Sequence, residues 1–159
     1  MAEYTLHSRK GETDTEAAVD PVFGDIRKEW HWVKRGIEEI LSLDPQLTFR
    51  PEDVYAACVN QQAVLWVNDE GFVVSTTEVD PFNEEKTMLL WLAWAKKRGG
   101  DLVSKHGAFF EKVACEAGYS KLETRSSFMQ LMPHLTERGW TIDTVVYVRN
   151  LNGQRTKKI

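Results

Sequence analysis

Lys96-Lys97-Arg98-Gly99-Gly100-Asp101 is the stretch in which residue type and spacing come nearest to chemistry. Three consecutive cations, two glycines and a carboxylate stand between an apolar run and an amphipathic one. Glycines permit a tight turn and let backbone N–H groups approach a bound group closely. Lys96, Lys97, Arg98 and Lys105 offer a cationic rim. Asp101 pulls the other way, since a carboxylate repels an anion at short range. An aspartate just ahead of a helix is also a good N-cap. By themselves these residues read as a Gly99-Gly100 turn with Asp101 capping the next helix, on a solvated charged loop.

Other constellations carry less. His7, His31, His106 and His134 show no metal-ligand spacing. Cys58 and Cys115 are too few for a disulfide framework and read as two small buried hydrophobes. There is no Gly-x-Ser-x-Gly and no Walker loop. Glu84 and Glu85 are acids just ahead of the apolar run, in a stretch that reads as solvated loop. Trp32 falls off the apolar stripe of its helix, beside core-facing Trp30. It hints at a contact surface, with partial burial under a neighbouring loop as the plainer reading.

The elements that must position these groups follow from hydrophobic period. Trp30, Val33, Ile37 and Ile40 share one face of a predicted helix over 25–43, with Asp25 at its start and Asp44-Pro45 at its end. Pro51 opens a short second helix through Val59. Ala63–Val67 and Phe72–Thr77, around Asn68-Asp69-Glu70-Gly71, form a hairpin. Thr87–Ala95, TMLLWLAWA, is apolar on both faces and is predicted as the central strand, with Leu90, Leu92 and Ala93 in the core. A helix to about Ala117 follows the Lys96–Asp101 turn, with Val103, Phe110, Val113, Ala114 and Ala117 inward. A strand over 121–126, a helix over 128–138 containing Pro133, and closing strands at 140–142 and 144–149 complete the order.

The whole chain sets bounds on these readings. Its 159 residues make one domain, and 42% apolar with 28% charged residues suit a packed core. A net charge of −4 does not indicate nucleic acid, although Arg125, Arg138, Arg149, Arg155, Lys157 and Lys158 make the second half more basic. No apolar run reaches the ~18–20 residues of a membrane span. The first residues lack the apolar stretch of a secretory signal, so cytoplasmic synthesis is expected. Residues 1–22 are polar and without period, too poor in anchors to fold unaided.

This order resembles the GNAT fold of N-acetyltransferases over residues 25–151. Arg50-Pro51-Glu52-Asp53 and its helix, then the 63–77 hairpin, are similar to the elements that precede the family's acyl-CoA strand. LLWLAWA, KKRGGD and the following helix resemble the strand–loop–helix that holds the acyl-CoA pyrophosphate. Leu135-Thr136-Glu137-Arg138-Gly139-Trp140 resembles the closing helix end and strand. TVVYVRNL with its basic continuation resembles shortened GNAT-like proteins of tailed bacteriophages.

The resemblance implies an α/β fold, a GNAT-like mixed sheet of about six strands with helices on both faces. It divides the chain into an extended arm (1–22), a GNAT-like domain (23–151) and a basic tail (152–159). It also implies a phosphate loop of the form Gln/Arg-x-x-Gly-x-Gly/Ala. In the best register Lys96 takes the basic position, Gly99 the first glycine and Asp101 the last small residue, wrong in size and sign. If acyl-CoA is bound, Lys96, Arg98, Gly99 and Gly100 hold it. The family's frequent tyrosine acid falls on Leu135, and its frequent glutamate base has no counterpart in TMLLWLAWA. The expected function is therefore a non-catalytic GNAT-fold phage protein without cofactor. It would bind a protein partner, a virion component or a second copy through Tyr4, Leu6, Phe23 and Trp32, in the host cytoplasm or the virion. The alternative is an acetyl-CoA-dependent N-acetyltransferase with a divergent pyrophosphate loop.

Overall fold

In the structure of the chain, a computed structural model, residues 19–97, 99–127 and 129–151 are described. The first element is a two-residue strand, β1 (Val22–Phe23). Asp25 then starts α1 (Ile26–Leu43): its backbone is extended and its carboxylate accepts the Arg27 N–H at 2.9 Å. Arg50 and Asp53 begin α2 (Pro51–Val59), where the Asp53 carboxylate accepts the Arg50 N–H at 2.8 Å and Pro51 needs no partner. β2 (Ala63–Asn68), β3 (Gly71–Val79) and β4 (Lys86–Ala95) follow, then α3 (Leu102–Lys105), α4 (Gly107–Glu116) and β5 (Lys121–Thr124). A 3-10 turn (Met129–Leu131) leads into α5 (Met132–Glu137).

The sheet order is β1-β2-β3-β4-β5. Neighbours are antiparallel up to β4, and β5 lies parallel to β4. A parallel neighbour needs a crossover, which α3 and α4 supply. Five strands stand close to the expected six, in a mixed sheet with helices. One core layer holds Val33, Ile37, Val54, Leu65, Phe72, Val74 and Leu92, between the sheet and α1 with α2. The other holds Trp66, Val73, Met88, Leu90, Leu102 and Phe110, on the side of α3 and α4. Alternation along β3 sends Phe72 and Val74 to the first layer and Val73 to the second. Gly36 lets α1 lie close on the sheet, since a Cβ there would stand 2.6 Å from the Phe72 ring.

β4 breaks that alternation. Leu90 and Leu92 are two apart, yet they sit in opposite layers. The register explains it: Ser75 faces Leu90 and Val74 faces Leu92, so Trp91 is an extra residue, a β-bulge. Leu90 is buried as expected, whereas Ala93 is exposed, beyond the last residue that β5 pairs. β3, not β4, is the middle strand.

Three other expectations are corrected. The helix expected through Ala117 is two pieces, broken at His106, and Ala117 is an exposed cap past its end rather than part of the inward stripe. Pro133 sits in the first turn of α5, which is why the expected 128–138 helix starts late. The closing strands at 140–142 and 144–149 do not form: Trp140 packs on the second core layer, and residues 141–151 are exposed without regular structure. Tyr4, Leu6, Arg98 and the basic tail from 152 lie outside the described residues. Among the described residues no helix is long and apolar enough to cross a membrane.

Candidate functional site

β4 and β5 run side by side only from Thr87 to Leu90, against Lys121 to Thr124. From Trp91 to Ala95 the β5-facing edge of β4 has no strand beside it among the described residues. The bulge at Trp91 falls where the two strands part. Bulges bend a strand and re-aim its edge, so the sequence slip and the parting belong together. Aromatic rings hold the opened half of β4 in place. Trp91 packs against Phe49 at 5.2 Å between centroids, and Trp94 stacks on Phe72 at 5.7 Å. The Trp94 indole N–H donates to Glu39 at 3.2 Å. An open strand edge offers backbone donors and acceptors in a row, which suits an extended chain of amides.

The Lys96–Asp101 turn closes the far end of this edge. The Lys96 N–H donates to the Glu70 carbonyl at 2.7 Å, and its ammonium stands over the Trp32 ring at 4.9 Å from the centroid. Gly99 has φ +83°, where glycine is favoured, and the Gly100 N–H returns to the Lys97 carbonyl at 3.1 Å. Gly100 also approaches β4 closely: a Cβ there would stand 2.6 Å from that of Ala95. Asp101 caps α3, accepting the Ser104 N–H at 3.2 Å and the Ser104 hydroxyl at 2.6 Å. The turn therefore brings Gly99, Gly100 and Lys96 to the end of the β4 edge. It also brings a carboxylate that occupies one of the helix's free donors.

A polar cluster beside this turn was not legible in the sequence. The Lys105 ammonium pairs with one Glu70 oxygen, and His106 Nε2 lies 3.1 Å from the other. The Asn68 amide stands 3.3 Å from His106 Nε2. Burial opposes the charge on Glu70. The hydrogen bonds from Lys105 and His106 overcome it and hold the carboxyl below its ordinary value. Lys105 is thus committed to Glu70 rather than to the cationic rim; Lys97 is exposed. Partners 35 and 36 residues apart share no local period, and the only signal was Gly107 after His106.

The remaining sequence candidates lie elsewhere. Leu135 packs on the second core layer, and His134 is half-buried on α5. Glu84 and Glu85 are exposed in the β3–β4 turn, at the end of β4 opposite the Lys96 turn. Trp32 is half-buried, its ring against Phe72 and Trp94 and its N–H donating to Glu29 at 2.5 Å. Phe23 is exposed on β1 and stacks on Trp66 at 4.7 Å. Cys58 is half-buried, and burial pushes its thiol up to about 11. Cys115 is exposed, contrary to expectation. Among the described residues no group of three metal-ligating side chains gathers. Two concavities touch Phe23: one of about 490 Å³ lies by β1, the start of α1 and β2, and one of about 210 Å³ lies between the sheet and α4, lined by Trp66, Thr77, Met88 and Val113; neither is lined by Trp91–Ala95.

No family model and no curated protein matches the sequence. Solved structures do match its fold. A ribosomal-protein-alanine N-acetyltransferase from Brucella melitensis is 18% identical, with 85% of this chain and all of that one covered, at a TM-score of 0.60. An aminoglycoside acetyltransferase from an uncultured soil metagenomic sample is 9% identical over 77% of this chain and 88% of that one, at 0.56. An integron cassette protein from V. cholerae is 12% identical over 87% and 95%, at 0.57. At such identities the likeness shows the fold, which is that of the GNAT acetyltransferases. Nothing in it points to a bacteriophage or a virion.

Proposed function

We propose that this chain is an acyl-CoA-dependent N-acyltransferase whose pyrophosphate loop has diverged. The observation that carries the reading is the parting of β4 from β5 at Leu90, with the bulge at Trp91 and, among the described residues, no strand beside the edge from there to Ala95. The acyl-CoA arm is an extended chain with amides, which such an edge can pair. Lys96, Gly99 and Gly100 then stand toward the diphosphate, with Arg98 of the same turn as a further cation. The fit is poorest there, because Asp101 puts a negative charge in the turn. Transfer requires a neutral amine to attack the thioester carbon. The C–N bond forms, the C–S bond breaks, and the thiolate leaves. Backbone N–H groups of the unpaired stretch supply donors for charge developing on the carbonyl oxygen. β4 contains no acid, and Glu84 and Glu85 lie at its other end, so the amine proton passes to water.

Calorimetric titration with acetyl-CoA tests the reading. Micromolar binding that slows hydrogen exchange of the Trp91–Ala95 amides supports it. Absence of binding at millimolar acetyl-CoA overturns it. A second reading, a GNAT-fold protein that binds a protein partner without chemistry, draws on Asp101, which serves the helix as a cap and the ligand as a repulsion.

A further inference from the structure

The segment after Trp140 carries an unmet demand. Thr144-Val145-Val146-Tyr147-Val148-Arg149 has the composition of a strand. Val146, Tyr147 and Val148 are 79, 90 and 77% exposed, and Val145 is 64% exposed. Apolar residues at four successive positions leave no polar face, which is the pattern of a strand covered on both sides. Among the described residues nothing covers it, since all of residues 141–151 are exposed.

The same molecule holds the matching vacancy. β5 stands last in the sheet and pairs only with β4, so its outer edge has no neighbour among the described residues. Its residues Lys121–Thr124 are mostly half-buried, and Leu122 belongs to the second core layer. A strand laid along that edge would extend the layer. Unpaired edges of this kind recruit strands from other chains.

We infer that residues 144–149 of one copy pair with the β5 edge of a second copy, and the reverse, in a two-fold strand-exchanged dimer. The occupant is a second copy for two reasons on this chain. Trp140 is fixed to α5, its N–H donating to the Leu135 carbonyl at 3.1 Å and its ring packed on the second core layer. Only Thr141, Ile142 and Asp143 link it to the segment, and a short link favours exchange between copies over return to the same domain. Reciprocal exchange also meets both demands in each copy and closes on itself, which an added foreign strand does not. The inference stands apart from acyl transfer and does not depend on it.

The test uses the full chain. Light scattering after size exclusion should give twice 18.3 kDa. Hydrogen exchange at Lys121–Thr124 and Thr144–Arg149 should be slowed about tenfold or more, and the protection should vanish from both on dilution to monomer. Val145→Pro and Val146→Pro, made separately, remove successive N–H groups that point opposite ways along a strand. At least one should give a monomer with the domain's helical signal intact. A monomer at high concentration overturns the proposal, whether unprotected or protected independently of dilution. So does a dimer that survives both substitutions.

Discussion

Asp101 does two opposed things, and the opposition can be separated. Its carboxylate caps α3 through Ser104, and its charge stands in the turn where a diphosphate would lie. Asparagine keeps the cap geometry and removes the charge. Asp101→Asn should therefore keep the α3 cap and tighten acetyl-CoA binding severalfold by calorimetry. Asp101→Ala should lose about 1 kcal/mol in denaturant titration, because the Ser104 N–H loses its acceptor. Equal acetyl-CoA affinity in wild type and Asp101→Asn would show that the charge does not face the ligand. Glu70 gives a second test at this scale. Its carboxyl titrates lower in the folded chain than in the unfolded one. A depressed carboxyl adds stability above the ordinary value of 4.5 and loses it as pH falls through the folded value. Glu70→Gln should thus lower the thermal midpoint at neutral pH and shrink the acid-induced fall below about pH 4.5. A variant whose midpoint follows wild type across that range would remove Glu70 from the cluster's energetics.

At the scale of elements, the β4 bulge sets where the edge opens. Leu90→Ala should cost about 2–5 kcal/mol in denaturant unfolding, as a fully buried leucine against Trp66, Val73 and Phe110. Deleting Trp91 is more telling. It makes Leu90 and Leu92 neighbours, and neighbours in a regular strand face opposite sides, as these two already do. The deletion should then destabilise no more than Trp91→Ala, while abolishing acetyl-CoA binding by straightening the edge. Deleting Leu89 instead turns the buried residues on one side of it to the wrong face, and should unfold the chain by circular dichroism. The hairpin and α1 were legible in the sequence because their periods are local, and β4 because its apolar run is unbroken. The bulge was not: LLWLAWA is apolar all round, so no alternation exists in it to be broken. The break at His106 escaped for a different reason, since its partners come from the end of β2 and the β2–β3 turn. The closing strands failed because strand composition in 144–149 says what the segment can form and not which edge it meets.

The molecule as a whole has a boundary at its N-terminal end that truncation can locate. Among the described residues, contacts with the sheet begin at Val19, whose carbonyl accepts from the Asn68 amide at 3.1 Å. Pro21 is buried, Val22 and Phe23 pair with Val67 and Trp66, and the Gly24 N–H donates to the Leu65 carbonyl at 2.9 Å. Phe23 adds a stacked ring on Trp66, which lies in the second core layer. The residues before Val19 contain Met1, Tyr4 and Leu6 as their larger apolar side chains, among eleven polar or charged ones. Ordering each residue costs on the order of 1 kcal/mol, and so few anchors do not offset that within one domain. Removing residues 1–18 should therefore leave the thermal midpoint of the remaining chain nearly unchanged. Removing residues 1–24 should lower it by several degrees, because the β1 ladder, the Gly24 hydrogen bond and the Phe23–Trp66 stack go together. Calorimetric scans of the two truncations at one concentration decide it, since a strand-exchanged dimer would otherwise shift the midpoint by mass action. A large fall on removing 1–18 alone would place the arm inside the domain and end its candidacy as a partner-binding segment through Tyr4 and Leu6.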